Sequence, residues 1–159
     1  MAEYTYDIAL SKIAALCSQS EKCEYDAMEY LQKKGLSPQQ CNQAVEYLVK
    51  NNYIDNLRFA KAFARDKAKF NKWGTAKISL ALTRKKIDPQ TIKTALENLP
   101  DDFIKEIIIS ETTKKAKTIK DLQQPQSKAK LLRFCAGRGY PMSLSLNIIE
   151  QIINNYKNN

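Results

Sequence analysis

The side chains whose spacing could do chemistry are cations. Arg58, Lys61, Arg65, Lys69 and Lys72 follow one another at steps of 3, 4, 4 and 3 residues. At about 100° per residue they fall within an arc of roughly 80° on one helix. Phe59, Phe63 and Phe70 fall on a narrow arc nearly opposite. The phenylalanines are therefore expected to face a core, and the cations to form a ridge toward solvent. Lys77, Arg84, Lys85 and Lys86 extend the positive region along the next helix, and Arg133 and Arg138 are further candidate contacts. A merely solvated helix face would carry acids at i±4. Asp66 is the one acid between residues 58 and 86, and it lies on a different face. Such a ridge suits a polyanion or an acidic protein surface, nucleic acid first among them. Trp73, beside Gly74, is the aromatic best placed to stack on a base or anchor a partner.

Little else in the chain could react. There is no histidine, which removes histidine-based general bases, proton relays and zinc ligation. Cys17, Cys23, Cys41 and Cys135 form no C-x-x-C pair and are read as reduced thiols acting as small hydrophobes. No phosphate-binding glycine loop, no nucleophile with a visible base and no spaced acidic metal cluster occurs. The expectation is a non-enzyme with no catalytic residue, no metal and no cofactor. No apolar run approaches the roughly 18 residues of a membrane span, and the first residues carry acids before their apolar positions, unlike a signal peptide. A cytoplasmic protein that meets no membrane is expected.

The elements that must hold the cations are helices. Four glycines and five prolines in 159 residues are too few turn-formers for a sandwich or barrel. Hydrophobic residues at 43% and charged residues at 27% suit a chain that buries a core. The net charge of +9 is concentrated. Residues 1–52 carry five basic and seven acidic side chains, residues 58–86 ten basic and one acidic, and residues 87–159 eleven basic and eight acidic.

Three segments align without gaps: Tyr30–Leu48, Ala81–Leu99 and Phe134–Ile152, offset by 51 and then 53 residues. Leu31, Leu82 and Cys135 occupy one position, and Leu36, Ile87 and Tyr140 another. Each segment contains a tight corner. Gly35 stops a helix, Ser37 caps the next and Pro38 begins it; Asp88 and Pro89 repeat the restart; Gly139 and Pro141 act as stop and restart in the third. After the corners run period-3.6 stripes: Cys41, Ala44, Val45 and Leu48; Ile92, Ala95, Leu96 and Leu99; Ile148, Ile149, Ile152, Ile153 and Tyr156. A further helix precedes each pair, over about 6–17 with Ile8, Ile13 and Leu16 inward, over 55–70, and over 102–119. Asp101-Asp102 reads as a helix-start signal, and residues 123–128 as the one longer loop. The chain is thus expected to be all-α, three tandem three-helix repeats (1–52, 53–100 and 101–159) stacked as one continuous, elongated and curved array.

Tyr53-Ile-Asp-Asn-Leu-Arg-Phe-Ala60, then Lys72-Trp-Gly-Thr-Ala-Lys-Ile78, Leu82 and Ile87, resemble the central signature of the RecX regulatory proteins. Phe134 and Arg138-Gly139-Tyr140 resemble the end of that family's third repeat. The chain departs from the pattern at Asn56, where a second acid is usual, and at Lys86, where glycine is usual. The resemblance implies a monomeric, non-enzymatic modulator of the RecA recombinase in recombination, DNA repair and the SOS response. Such proteins lodge along RecA–DNA filaments and suppress ATP hydrolysis and strand exchange, with weaker binding to single- and double-stranded DNA. The residues alone leave two other readings open: a free-standing basic architectural DNA-binding protein built on helix-turn-helix-like corners, and a helical scaffold for protein contacts.

Overall fold

A computed structural model describes residues 5–158. Among the described residues are nine α-helices and no strand: α1 (Tyr6–Gln19), α2 (Glu24–Lys33), α3 (Pro38–Lys50), α4 (Asn56–Asn71), α5 (Thr75–Arg84), α6 (Pro89–Glu97), α7 (Phe103–Ala116), α8 (Pro125–Arg138) and α9 (Met142–Lys157).

The three corners are built alike, atom for atom. In each, the residue after the stop donates to a carbonyl five positions back: Leu36 N–H to Leu31 at 3.3 Å, Ile87 to Leu82 at 3.2 Å and Tyr140 to Cys135 at 3.0 Å. The stop residue itself donates to the carbonyl three back: Gly35 to Gln32, Lys86 to Thr83 and Gly139 to Ala136. This double closure satisfies carbonyls that a helix end leaves open. It requires a left-handed stop residue, and φ is 86° at Gly35, 59° at Lys86 and 81° at Gly139. The acceptor and the donor beyond it are buried together at all three corners. The restarts differ. Ser37 Oγ accepts from Gln40 N–H while Gln40 Oε1 accepts from Ser37 N–H, and Asp88 accepts from Thr91 N–H and Oγ. Pro141 stands one position before α9 and offers no side-chain cap.

The chain divides into two compact units. One holds the residues up to Ala62 together with Leu82–Ala95, the other Phe63–Ala81 together with Leu96 onward. The borders of these units fall within α4, α5 and α6. In the first unit Ala9, Ile13, Ala27, Leu31, Leu36, Cys41, Ala44, Val45, Leu48 and Ile54 form the core. In the second, Ile78, Ile108, Leu131, Cys135, Ile148 and Ile149 are buried, with Thr112 Oγ1 and Cys135 Sγ hydrogen-bonded at 3.4 Å. Leu82 in the first unit is fully buried.

Several expectations need correction. Ile8 points outward at 48% exposure, and Ala9 takes the buried place with Ile13. Phe59 is buried and Phe63 half-buried, but Phe70 is 70% exposed. The stripe ends there because α4 ends one residue later, with nothing beyond for the last ring to pack on. Leu96, Leu99, Ile152 and Ile153 are half-buried and Tyr156 exposed, as the stripes run out of the core. The longer loop lies at 117–124, and α8 starts at Pro125, because proline suits a first helical turn. Asp102 does precede α7, but with φ of 63° and no side-chain cap.

Candidate nucleic-acid interface

Five of the candidate cations belong to the first unit. Arg58 is committed to structure: Nε donates to Glu21 Oε1 at 2.7 Å, and Nη2 donates to the carbonyls of Asn52 at 3.0 Å and Tyr53 at 3.3 Å. It ties the start of α4 to the α1–α2 turn. Lys85 Nζ donates to Asp26 Oδ1 at 2.6 Å, with the two side chains 31% and 22% exposed, and lies 5.9 Å from the Phe59 ring centroid. Burial pushes the Asp26 carboxyl up, but its hydrogen bonds from Lys85 and Cys23 prevail and hold it below the usual carboxylate range. Burial drives the neighbouring Cys23 thiol up to about 11, leaving it protonated and unreactive. Lys61 is half-buried, and Arg84 and Lys86 are exposed. An open groove of about 590 Å³ in this unit is lined by both signs, Glu24, Glu29 and Glu46 facing Lys85 and Lys86, so it does not select an anion.

Asn56, where the family pattern usually has a second acid, caps a neighbouring helix. Its Oδ1 accepts from Glu24 N–H at 3.0 Å and its Nδ2 donates to Glu24 Oε2 at 2.7 Å. An amide thus caps the start of α2, a task an acid could perform only in part, since a carboxylate cannot donate.

The second unit holds Arg65, Lys69, Lys72, Trp73, Lys77, Arg133 and Arg138. Arg65 and Lys69 are exposed on α4 and form no ion pair among the described residues, as does Arg133 on α8. Trp73 is half-buried and engaged: Phe63 meets it edge-on at 6.5 Å, and the Lys67 and Lys77 ammonium groups each stand 4.9 Å from its ring centroid. Arg138 lies 4.9 Å over the Phe134 ring and 3.4 Å from Glu111.

Behind these side chains runs a backbone seam. Gly74 N–H donates to the Arg138 carbonyl at 2.7 Å and Ala76 N–H to the Gly139 carbonyl at 3.1 Å. The open donors at the start of α5 are thus met by the open acceptors at the end of α8, with the two helix dipoles head to tail. A Cβ at Gly74 would overlap the Gly139 carbonyl, and one at Gly139 would overlap the Lys77 backbone. Buried Tyr140 completes the seam by donating its hydroxyl to the Lys72 carbonyl at 2.7 Å. The tryptophan-glycine and arginine-glycine-tyrosine signatures are two halves of one joint.

The acids that partner Arg58, Lys85 and Arg138 are Glu21, Asp26 and Glu111, which lie 37, 59 and 27 residues away in sequence. Helical periodicity around the ridge carries no signal for them. Among the described residues no group of histidine, cysteine or carboxylate side chains could hold a metal ion, and no helix is long and apolar enough to cross a membrane.

Residues 55–96 match a family model described as the second three-helix domain of RecX. A regulatory protein RecX of Clostridium beijerinckii is 26% identical over 140 residues, 87% of this chain. One of Lactobacillus johnsonii is 30% identical over 94 residues. The chain spans 65% and 35% of the lengths of those two relatives. The solved structure of RecX from Lactobacillus salivarius superposes with a TM-score of 0.81 at 16% identity, covering 92% of this chain and 96% of that one, which shows a shared fold. The regulatory protein RecX of Vibrio campbellii is 31% identical over 132 residues, 82% of this chain and 83% of its own length; the chain belongs to the RecX family.

Proposed function

We propose that the protein regulates the RecA recombinase in the cytoplasm by binding RecA filaments on DNA, lowering their ATP hydrolysis and strand exchange without catalysis of its own. The observation that carries this reading is the charge of residues 58–86, where ten cations face one acid, in a chain of the RecX family. Arg65, Lys69, Arg84, Lys86 and Arg133 are exposed without ion pairs among the described residues, and are the contacts we assign first. Lys61, Lys72 and Lys77 are secondary contacts. Arg58, Lys85, Arg138 and Trp73 act mainly by holding the surface in shape. The repeats 1–52, 53–100 and 101–159 are proposed as its building units, in a protein that works as a monomer.

A regulator can shift a filament's equilibrium only by its differential affinity for the assembled form. The decisive experiment measures RecA ATPase on single-stranded DNA with and without this protein, alongside its affinity for RecA-coated and bare DNA. Inhibition with tighter binding to the coated strand supports the reading. Equal affinity for both, with unchanged ATPase, supports instead a free-standing architectural DNA-binding protein, which the three alike corners also suit.

A further inference from the structure

We propose that Phe70 is a base-stacking residue whose ring, exposed at the end of α4 beside Lys69, packs on an unpaired base of single-stranded DNA. The proposal rests on DNA being a partner and adds to it a residue and a mode of contact. Phe59, on the same arc of α4, is 6% exposed, whereas Phe70 is 70% exposed. Its ring carries the Lys69 ammonium 5.3 Å from its centroid. The stretch 65–72 holds four cations and one carboxylate, Asp66, one turn before the ring.

That combination selects among anions. An acidic protein surface would use the cations but give a flat aromatic face no special partner. An anionic membrane would need several apolar side chains on one face, and Phe70 is the one large hydrophobic residue that α4 exposes. A duplex keeps its bases stacked on each other. A single strand offers phosphates to the cations and free base faces to a ring, the pairing used by proteins that bind single strands without sequence preference. Trp73 is less available for that role, because two ammonium groups and the Phe63 edge already occupy its surroundings.

The test compares an oligo-dT strand with an abasic strand of equal length, which keeps the phosphates and lacks the bases, by fluorescence anisotropy. The wild-type protein should bind oligo-dT on the order of ten-fold more tightly than the abasic strand, as one base on one ring warrants. Phe70→Ala and Phe70→Leu should both abolish that preference while leaving abasic affinity unchanged, and Phe70→Tyr should keep it. Leu preserves apolar bulk without a π-face, so a preference surviving in Phe70→Leu overturns the proposal. Equal losses on both strands, or no preference in the wild type, overturn it as well and leave DNA binding standing. Failure of the wild type to bind either strand overturns both the proposal and the DNA part of the function above it.

Discussion

Lys86 holds a left-handed backbone, φ 59°, at the corner position that glycine fills at Gly35 and Gly139. A side chain there costs roughly 1–2 kcal/mol, against roughly 0.5–1 kcal/mol for the extra freedom glycine brings to the unfolded chain. Lys86→Gly should therefore raise stability by up to about 1.5 kcal/mol, measured as a higher denaturation midpoint; a lower midpoint would refute the strain. Asp26 makes a second test. Its carboxyl is held below its ordinary range by Lys85 and Cys23 against the opposing pull of burial, so the stability it contributes is present above pH 4 and is lost as pH falls through its folded value. Asp26→Asn should be destabilised at pH 7, and its gap from wild type should narrow below pH 4 in a series of urea melts. The sequence made Lys86 legible as a misfit, because a stop position is local. It could not make Lys85 legible as an ion-paired residue, because Asp26 lies 59 residues away.

Among helices, the joint of α5 with α8 concentrates the demand for small residues. Gly74 and Gly139 approach backbone to backbone, whereas nothing lies within 4 Å of a Cβ built at Gly137 inside α8. Gly74→Ala should cost on the order of 3 kcal/mol through overlap and the loss of two inter-helix hydrogen bonds. Gly137→Ala should instead stabilise by about 0.5–1 kcal/mol, because alanine favours a helix interior. Thermal melts of the two variants should move in opposite directions, and parallel shifts would refute the joint. The helices themselves are legible because their signals sit within a few residues: Ser37 and Asp88 as caps, Pro38 and Pro89 at helix starts, Cys41 to Leu48 as a stripe. The seam is not, since Gly139 reads alone as a helix stop and nothing near Gly74 in sequence points to it. Phe70 departs from its stripe for a related reason: periodicity sorts residues by direction, but only the end of α4 decides whether anything is there to cover them.

At the scale of the whole molecule, the charge of +9 overstates what is free to meet a partner. Arg58, Lys85 and Arg138 are taken up by acids, while Arg65 and Lys69 form no ion pair among the described residues. Arg65→Glu with Lys69→Glu should weaken DNA binding, leave the melting temperature nearly unchanged, and flatten the salt dependence by about two phosphate contacts' worth, near 0.9 each for duplex DNA. Arg58→Glu should lower the melting temperature, since it faces Glu21 with a like charge. An unchanged salt slope in the double variant would place the contacts elsewhere. The seam also has a temporal consequence. The Lys72 carbonyl waits for the Tyr140 hydroxyl 68 residues downstream, which at ribosomal rates of roughly 5–20 residues per second is a delay of about 3–14 s. During translation the start of α5 therefore emerges with its amides open, and the family's central motif closes only after α8 and Tyr140 have been made.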